Sequence, residues 1–232
     1  MESLSYLFRL GSAGLFLDIN TFRAQRDNPH ALREGFLLVL LIGVVVGIAS
    51  FIGNFLATLA TPDPENLLAI IQREIEQTPF VTELRELNPA FSLDPLFAQI
   101  TAFARSLQWN GLIGAVTTPI VYLLSWLIYG VIAHLAARSF GGEGTFAQTL
   151  GCTALASGAN LLALVQIVPF AQVSGATLLG LIGCYMGLRV AHNLSGWRAF
   201  WAALLGPILL GVLLLVIGCG ALAVLLAAAQ GG

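Results

Sequence analysis

FLLVLLIGVVVGIASFIGNFLATL, residues 36–59, holds no charged side chain. A helix needs roughly 20 apolar residues to cross about 30 Å of hydrocarbon at about 1.5 Å per residue. This stretch is long enough, and four more follow it: 112–137, 146–168, 173–191 and 200–229. The last is the longest. It carries Pro207 in its first third and no turn signal, so it reads as one tilted helix. The fold class expected is all-α: a polytopic integral membrane protein, a five-helix transmembrane bundle with a small amphipathic helical loop outside the membrane.

Composition supports that class. The chain is 57% hydrophobic and 9% charged, with a mean hydropathy of +0.87. A soluble domain carries about a quarter charged residues because it must face water. A formal net charge of −2 offers no basic surface, which argues against nucleic acid as a partner. Cys152, Cys184 and Cys219 lie in apolar runs, without the spacing of a disulfide framework or a metal site. Glu2 stands where a secretory signal would be basic, and Arg9 breaks the early apolar stretch, so the first residues are expected to be retained.

Orientation follows the arginines. Arg9, Arg23, Arg26 and Arg33 precede the first span, Arg138 follows the second, and Arg189 and Arg198 bracket the junction of the fourth and fifth. Five spans place all of these on one side, expected to be the cytoplasm of a prokaryotic plasma membrane. The C-terminus and the acidic loop 60–111 then lie outside. In that loop Leu67, Leu68, Ile71 and Ile75 share a helical face, as do Leu96, Phe97, Ile100, Phe103, Ala104 and Leu107 after Asp94. Two amphipathic helices are expected, separated by the Pro79 and Pro89 region, with Trp109 at headgroup level. Residues 1–35 form a cytoplasmic segment in which Leu4, Leu7, Phe8, Leu15 and Phe16 suggest an interfacial helix.

Within the membrane, Gly43, Gly47, Ser50 and Asn54 recur at helical spacing, as do Ala176, Gly180, Gly183, Gly187 and Ala191. Small residues let helices approach where lipid gives no hydrophobic drive. They predict packing seams inside the monomer, with a homo-oligomer seam as the alternative. Thr149, Thr153, Ser157 and Asn160 line one face of the third span. Polar groups in hydrocarbon need partners, so this face should point into the bundle. Thr153, Ser157 and Asn160 are the candidate intramembrane polar face. Interhelical hydrogen bonding is one reading, and a substrate or ion path the other. His134 reads as a satisfied histidine at a helix end.

No nucleophile elbow, zinc-binding helix, phosphate loop or intramembrane carboxylate pair is present, and the sequence has no lysine. The chain is therefore expected not to be an enzyme, and to hold no catalytic residue, cofactor or metal. Glu143 is the sole acidic residue after Asp94, and the topology puts it on the same side as Arg189, His192 and Arg198. A carboxylate near a low-dielectric boundary gains from pairing, so Glu143 is expected to approach Arg189 or Arg198. These four residues are the candidate site for a partner or an anionic headgroup.

GGEGTFAQTL from Gly141, a small-residue helix, a hairpin at Pro169 and a glycine-rich helix ending in YMGLRVAHNLSGWRAF at Phe200 follow one another. This order resembles the Yip domain family, the Ypt/Rab-interacting membrane proteins. TFRAQRDNPHALREGF before LLVLLIGVVVGI is similar to the family's basic lead-in to its first span. The resemblance implies a five-span domain, cytoplasmic at its N-terminus, that contacts membrane lipids and binds another membrane protein or a small GTPase. Eukaryotic members carry a longer cytosolic N-terminal region with an Asp-Leu-Tyr-Gly-Pro-like motif. Only residues 1–35 precede the first span here, which is the expectation for a prokaryotic-type member. The resemblance thus implies a non-enzymatic membrane scaffold or adaptor in membrane organisation or trafficking-like processes. A small channel or transporter using the third span is the alternative.

Overall fold

The computed structural model describes the backbone of residues 2–60, 64–87, 92–169 and 171–230, and most side chains within them. Most of those residues are helical, with no strand among them. Apolar composition and the need to satisfy every backbone N–H and C=O within the segment leave helices as the natural choice in lipid. Three helical stretches are long and apolar enough to cross a membrane: 31–59, 113–139 and 146–167. Ala176–His192 is a shorter apolar helix. The fifth expected span falls in a helix whose later side chains lie largely outside the described residues.

The helices are α1 (Glu2–Leu15), α2 (Ile19–Asp27), α3 (Ala31–Ala60), α4 (Pro64–Glu76), α5 (Pro79–Leu87), α6 (Asp94–Ser139), α7 (Phe146–Leu155), α8 (Ala176–His192) and α9 (Gly196–Gln230). A 3₁₀ stretch, Ala156–Ile167, continues α7. The chain divides into two compact units: residues 1–45, 118–162 and 173–232, and residues 46–117 and 163–172.

The first unit is packed by small residues. Ala133, Ala137, Ala199, Ala202 and Ala203 surround Leu188 and Leu194 in its core. A methyl group on Gly187 would lie 2.9 Å from the Cys152 carbonyl oxygen, and one on Gly183 would lie 3.0 Å from Ala156. One on Gly43 would lie 2.7 Å from Pro119 Cα, which seats the proline inside α6 against α3. The glycine seams are therefore occupied within the chain at these positions. The N-terminal helices join this packing. Phe22 and Gln25 of α2 are buried, Cys152 lies 3.6 Å from the Phe22 carbonyl oxygen, and Gly14 closes on the Leu155 carbonyl. Leu4, Phe8 and Phe16 stay exposed on the other side. The expected helix exists, and its glycine face is buried in protein.

In the second unit Gly47 approaches Ala115, and Gly53 approaches the Gln166 backbone. Ser50 donates to Gln166 Oε1 at 2.7 Å, giving that amide a partner across the unit. Two expectations change here. The Pro79 region does separate α4 from α6, but it is itself partly helical: Pro79 opens α5 at a position where a missing N–H costs nothing. The helix expected over 96–107 and the span expected from 112 are one helix, because nothing between them terminates it. Gln72 Nε2 bonds Asp94 Oδ1 at 2.9 Å and ties α4 to the start of α6. Pro89 and the side chains of Leu67, Phe103, Ala104, Leu107 and Trp109 lie outside the described residues.

Candidate functional site

The loop between α6 and α7 begins where α6 unwinds through a left-handed glycine. Gly141 has φ 85°. Gly142 N–H donates to the Ala137 carbonyl at 2.9 Å, and Gly141 N–H to that of Arg138 at 3.0 Å. This pair satisfies the helix's last carbonyls in the usual glycine-terminated way. Arg138 Nη1 also donates to the Gly142 carbonyl at 3.3 Å. At the far end Thr145 and Gln148 form a reciprocal capping box that starts α7. Gln148 Nε2 reaches on to the Arg26 carbonyl of α2 at 3.2 Å.

This loop lies against the end of α8. Asn193 takes φ 53° and donates to the Arg189 carbonyl, a left-handed cap that asparagine tolerates. The Glu143 N–H donates to the His192 carbonyl at 3.3 Å. A methyl on Gly142 would sit 2.6 Å from His192 Nδ1, and one on Gly144 would strike the Ala191 carbonyl. The GGEG and VAHNLS segments, some fifty residues apart in sequence, are thus one contact surface. Gly142 and Gly144 are there because no side chain fits between loop and helix.

Beneath the loop, three polar residues from three helices meet. Thr149 Oγ1 is 2.8 Å from His134 Nδ1 and 2.7 Å from His192 Nε2. It also donates to the Thr145 carbonyl at 3.0 Å. A hydroxyl has one proton and two lone pairs. With the proton given to Thr145, both ring nitrogens must donate to Thr149. The histidine rings lie 5.2 Å apart, and Phe146 packs edge-on against His134 at 5.4 Å. His192 Nδ1 is buried with no partner. In the tautomer just derived it is a bare acceptor facing Gly142.

The candidate residues divide accordingly. Glu143, Arg189 and Arg198 are exposed; His192 is 1% exposed. A buried imidazole cannot contact a partner directly, so its part is to support the loop. Glu143 makes no ion pair among the described residues. Backbone bonds hold the loops in place of the expected pairing, and Arg198 Nη1 donates to the Phe140 carbonyl at 3.4 Å. Exposed side chains at a water boundary gain little from pairing, whereas backbone groups near the bilayer need partners. Trp197, Phe200 and Trp201 extend the exposed rim beside Arg198, with Trp197 5.9 Å from Phe200 and 5.4 Å from Trp201. Aromatics of this kind suit a membrane–water interface. The W-x-x-F-W run at 197–201 carries their signal in the sequence.

Of the expected polar face, Thr153 donates to the carbonyls of Thr149 and Leu150, and Ser157 donates to that of Ala154 at 2.6 Å. With Asn160 they line a cavity of about 490 Å³. Among the described residues no cluster of three or more histidine, cysteine or acidic side chains could hold a metal.

A family model described as the Yip1 domain matches residues 15–218. An uncharacterized protein of Methanocaldococcus jannaschii is 23% identical over 150 residues, covering 65% of this chain and 79% of the relative. No solved structure matches.

Proposed function

The chain belongs to the Yip1 domain family, and from that premise we propose that it is a non-enzymatic, five-span membrane adaptor whose cytoplasmic rim docks a protein partner. The observation that carries this is the clamped rim. The 141–145 loop is fixed to the end of α8 by the Glu143–His192 backbone bond, leaving Arg189, Arg198 and Trp197 exposed. A preorganised surface loses little entropy on binding. Two exposed arginines beside one carboxylate favour a partner that presents acidic groups, either another membrane protein or a small GTPase. In this reading α9 completes five spans, the N-terminus lies in the cytoplasm and the C-terminus outside, in a prokaryotic plasma membrane. Arg189 and Arg198 make the docking contacts, with Glu143 setting register and His192 acting from beneath. The channel alternative rests on the cavity at Thr153, Ser157 and Asn160. Its lining is mainly apolar and uncharged, which suits a held ligand better than a conduction path.

A photoreactive phenylalanine analogue at position 189 or 198 in the full chain, irradiated in native membranes, tests the docking reading. One discrete protein adduct is expected at both positions, and none at position 177, at the far end of α8. Adding Arg189→Glu to the chain labelled at 198 should cut the adduct about tenfold, the effect of losing roughly 1.4 kcal/mol. Lipid adducts alone, or equal yields at all three positions, would reject a protein-docking rim.

A further inference from the structure

The 490 Å³ cavity of the first unit is walled by α3, α6, α8 and the helical stretch 153–160. Its size falls within the range of small-molecule pockets, roughly 300–1,000 Å³. Two of its aromatic residues are held in place. Trp126 Nε1 donates to the Leu150 carbonyl, and the Tyr129 hydroxyl to that of Ala203, each at 3.2 Å. Thr153 and Ser157 spend their protons on their own helix. Four other polar groups line the same cavity: the hydroxyls of Tyr122, Ser125 and Thr177, and the amide of Asn160. None of the four has a hydrogen-bond partner among the described residues. An unpartnered polar group facing hydrocarbon is costly. The convergence of these four on one cavity offers hydrogen bonds to an occupant there.

The chemistry of that occupant follows from three facts. No acidic or basic residue lines the cavity, so its polar part is uncharged. Ser125 lies 12 residues from one end of the apolar stretch 113–139 and 14 from the other, about 18–21 Å from either end at the helical rise. A phosphate-bearing headgroup cannot be brought to that depth without charge compensation; a small neutral head can. Val121, Ser125 and Thr177 are exposed, so the cavity opens at the unit's surface and leaves a route for hydrocarbon chains. We propose that this cavity binds a neutral diacyl lipid of the diacylglycerol type. Its hydroxyl and ester carbonyls bond Tyr122, Ser125, Asn160 and Thr177, and its chains leave through the open side. The site is independent of the docking rim.

The test uses the full-length protein in phosphatidylcholine vesicles containing a small fraction of diazirine-bearing diacylglycerol. Labelling is expected on peptides from 113–139 and 153–192, and an excess of unlabelled diacylglycerol should compete it away. Ser125→Ala with Asn160→Leu should reduce it about tenfold, as two lost hydrogen bonds imply. Thr177→Val changes an exposed residue outside the packed core. It should reduce labelling severalfold by itself, which keeps the test open if the double variant fails to fold. Equal labelling of the same peptides by a diazirine phosphatidylcholine would overturn the proposal. So would unchanged labelling in Thr177→Val, or crosslinks from position 125 to a second copy of the chain.

Discussion

Thr149→Val should destabilise the folded chain by about 2–5 kcal/mol, read as a lowered unfolding midpoint in detergent. Valine has nearly the shape of threonine, so packing is kept and only the hydroxyl is lost. That hydroxyl is the shared partner of His134 Nδ1 and His192 Nε2. Its removal leaves two ring nitrogens unpaired in a site where His192 already has one bare nitrogen. A buried unsatisfied group costs about 1–3 kcal/mol; His192 is buried and His134 half-buried, which sets the size of the effect. Thr149→Ser restores the hydroxyl and should recover most of the loss. Equal destabilisation by serine and valine would mean that methyl packing, not the hydrogen-bonded cluster, is what Thr149 supplies.

Gly144→Val should cost about 3 kcal/mol or more, because the new side chain would strike the Ala191 carbonyl and sit 3.1 Å from His192 Cγ before its branches are counted. Neither neighbour is the free end of a flexible side chain, so the loop must lift. Overpacking at such sites typically costs about 1–3 kcal/mol, and the Glu143–His192 backbone bond would be lost as well. Gly141→Asn is the contrasting change. Gly141 needs a left-handed backbone at φ 85°, which asparagine tolerates, and the space around it is open except for Arg198 Nη1 at 3.7 Å. Its cost should be near 1 kcal/mol. A loss at 144 no larger than that at 141 would mean that the loop lifts freely and that close packing against Ala191 does not hold it.

Much of the helical architecture was legible because lipid removes alternatives: an uncharged run such as 36–59 can satisfy its backbone only as a helix. The boundaries were less legible. Residues 107–112 carry an asparagine and a glycine, yet α6 runs through them, since one glycine costs a helix only about 1 kcal/mol. Pro79 marks both the break after α4 and the start of α5, since proline cannot continue a helix but fits its first turn. At the rim, Glu143, Arg189, His192 and Arg198 could be grouped because span parity put them on one side. The sequence could not show that His192 is turned inward, because that depends on Thr149 and His134 arriving from two other helices. Thr149 and His134 stand apart in the sequence; only tertiary packing makes them one cluster. The pairing of Glu143 was inferred from charge, and the loop is instead held by main-chain groups that charge patterns do not reveal.

The clamp between the GGEG and VAHNLS segments is tested most directly by crosslinking Glu143→Cys to Asn193→Cys in native membranes, with Cys152, Cys184 and Cys219 replaced by alanine. Both positions are exposed, and residue 193 follows the one whose carbonyl accepts the Glu143 N–H at 3.3 Å. The shortest bismaleimide should therefore link them within one chain, giving a faster-migrating monomer and no dimer. Full reaction of both cysteines with separate maleimides but no intramolecular link would contradict the clamp, and with it the preorganised rim.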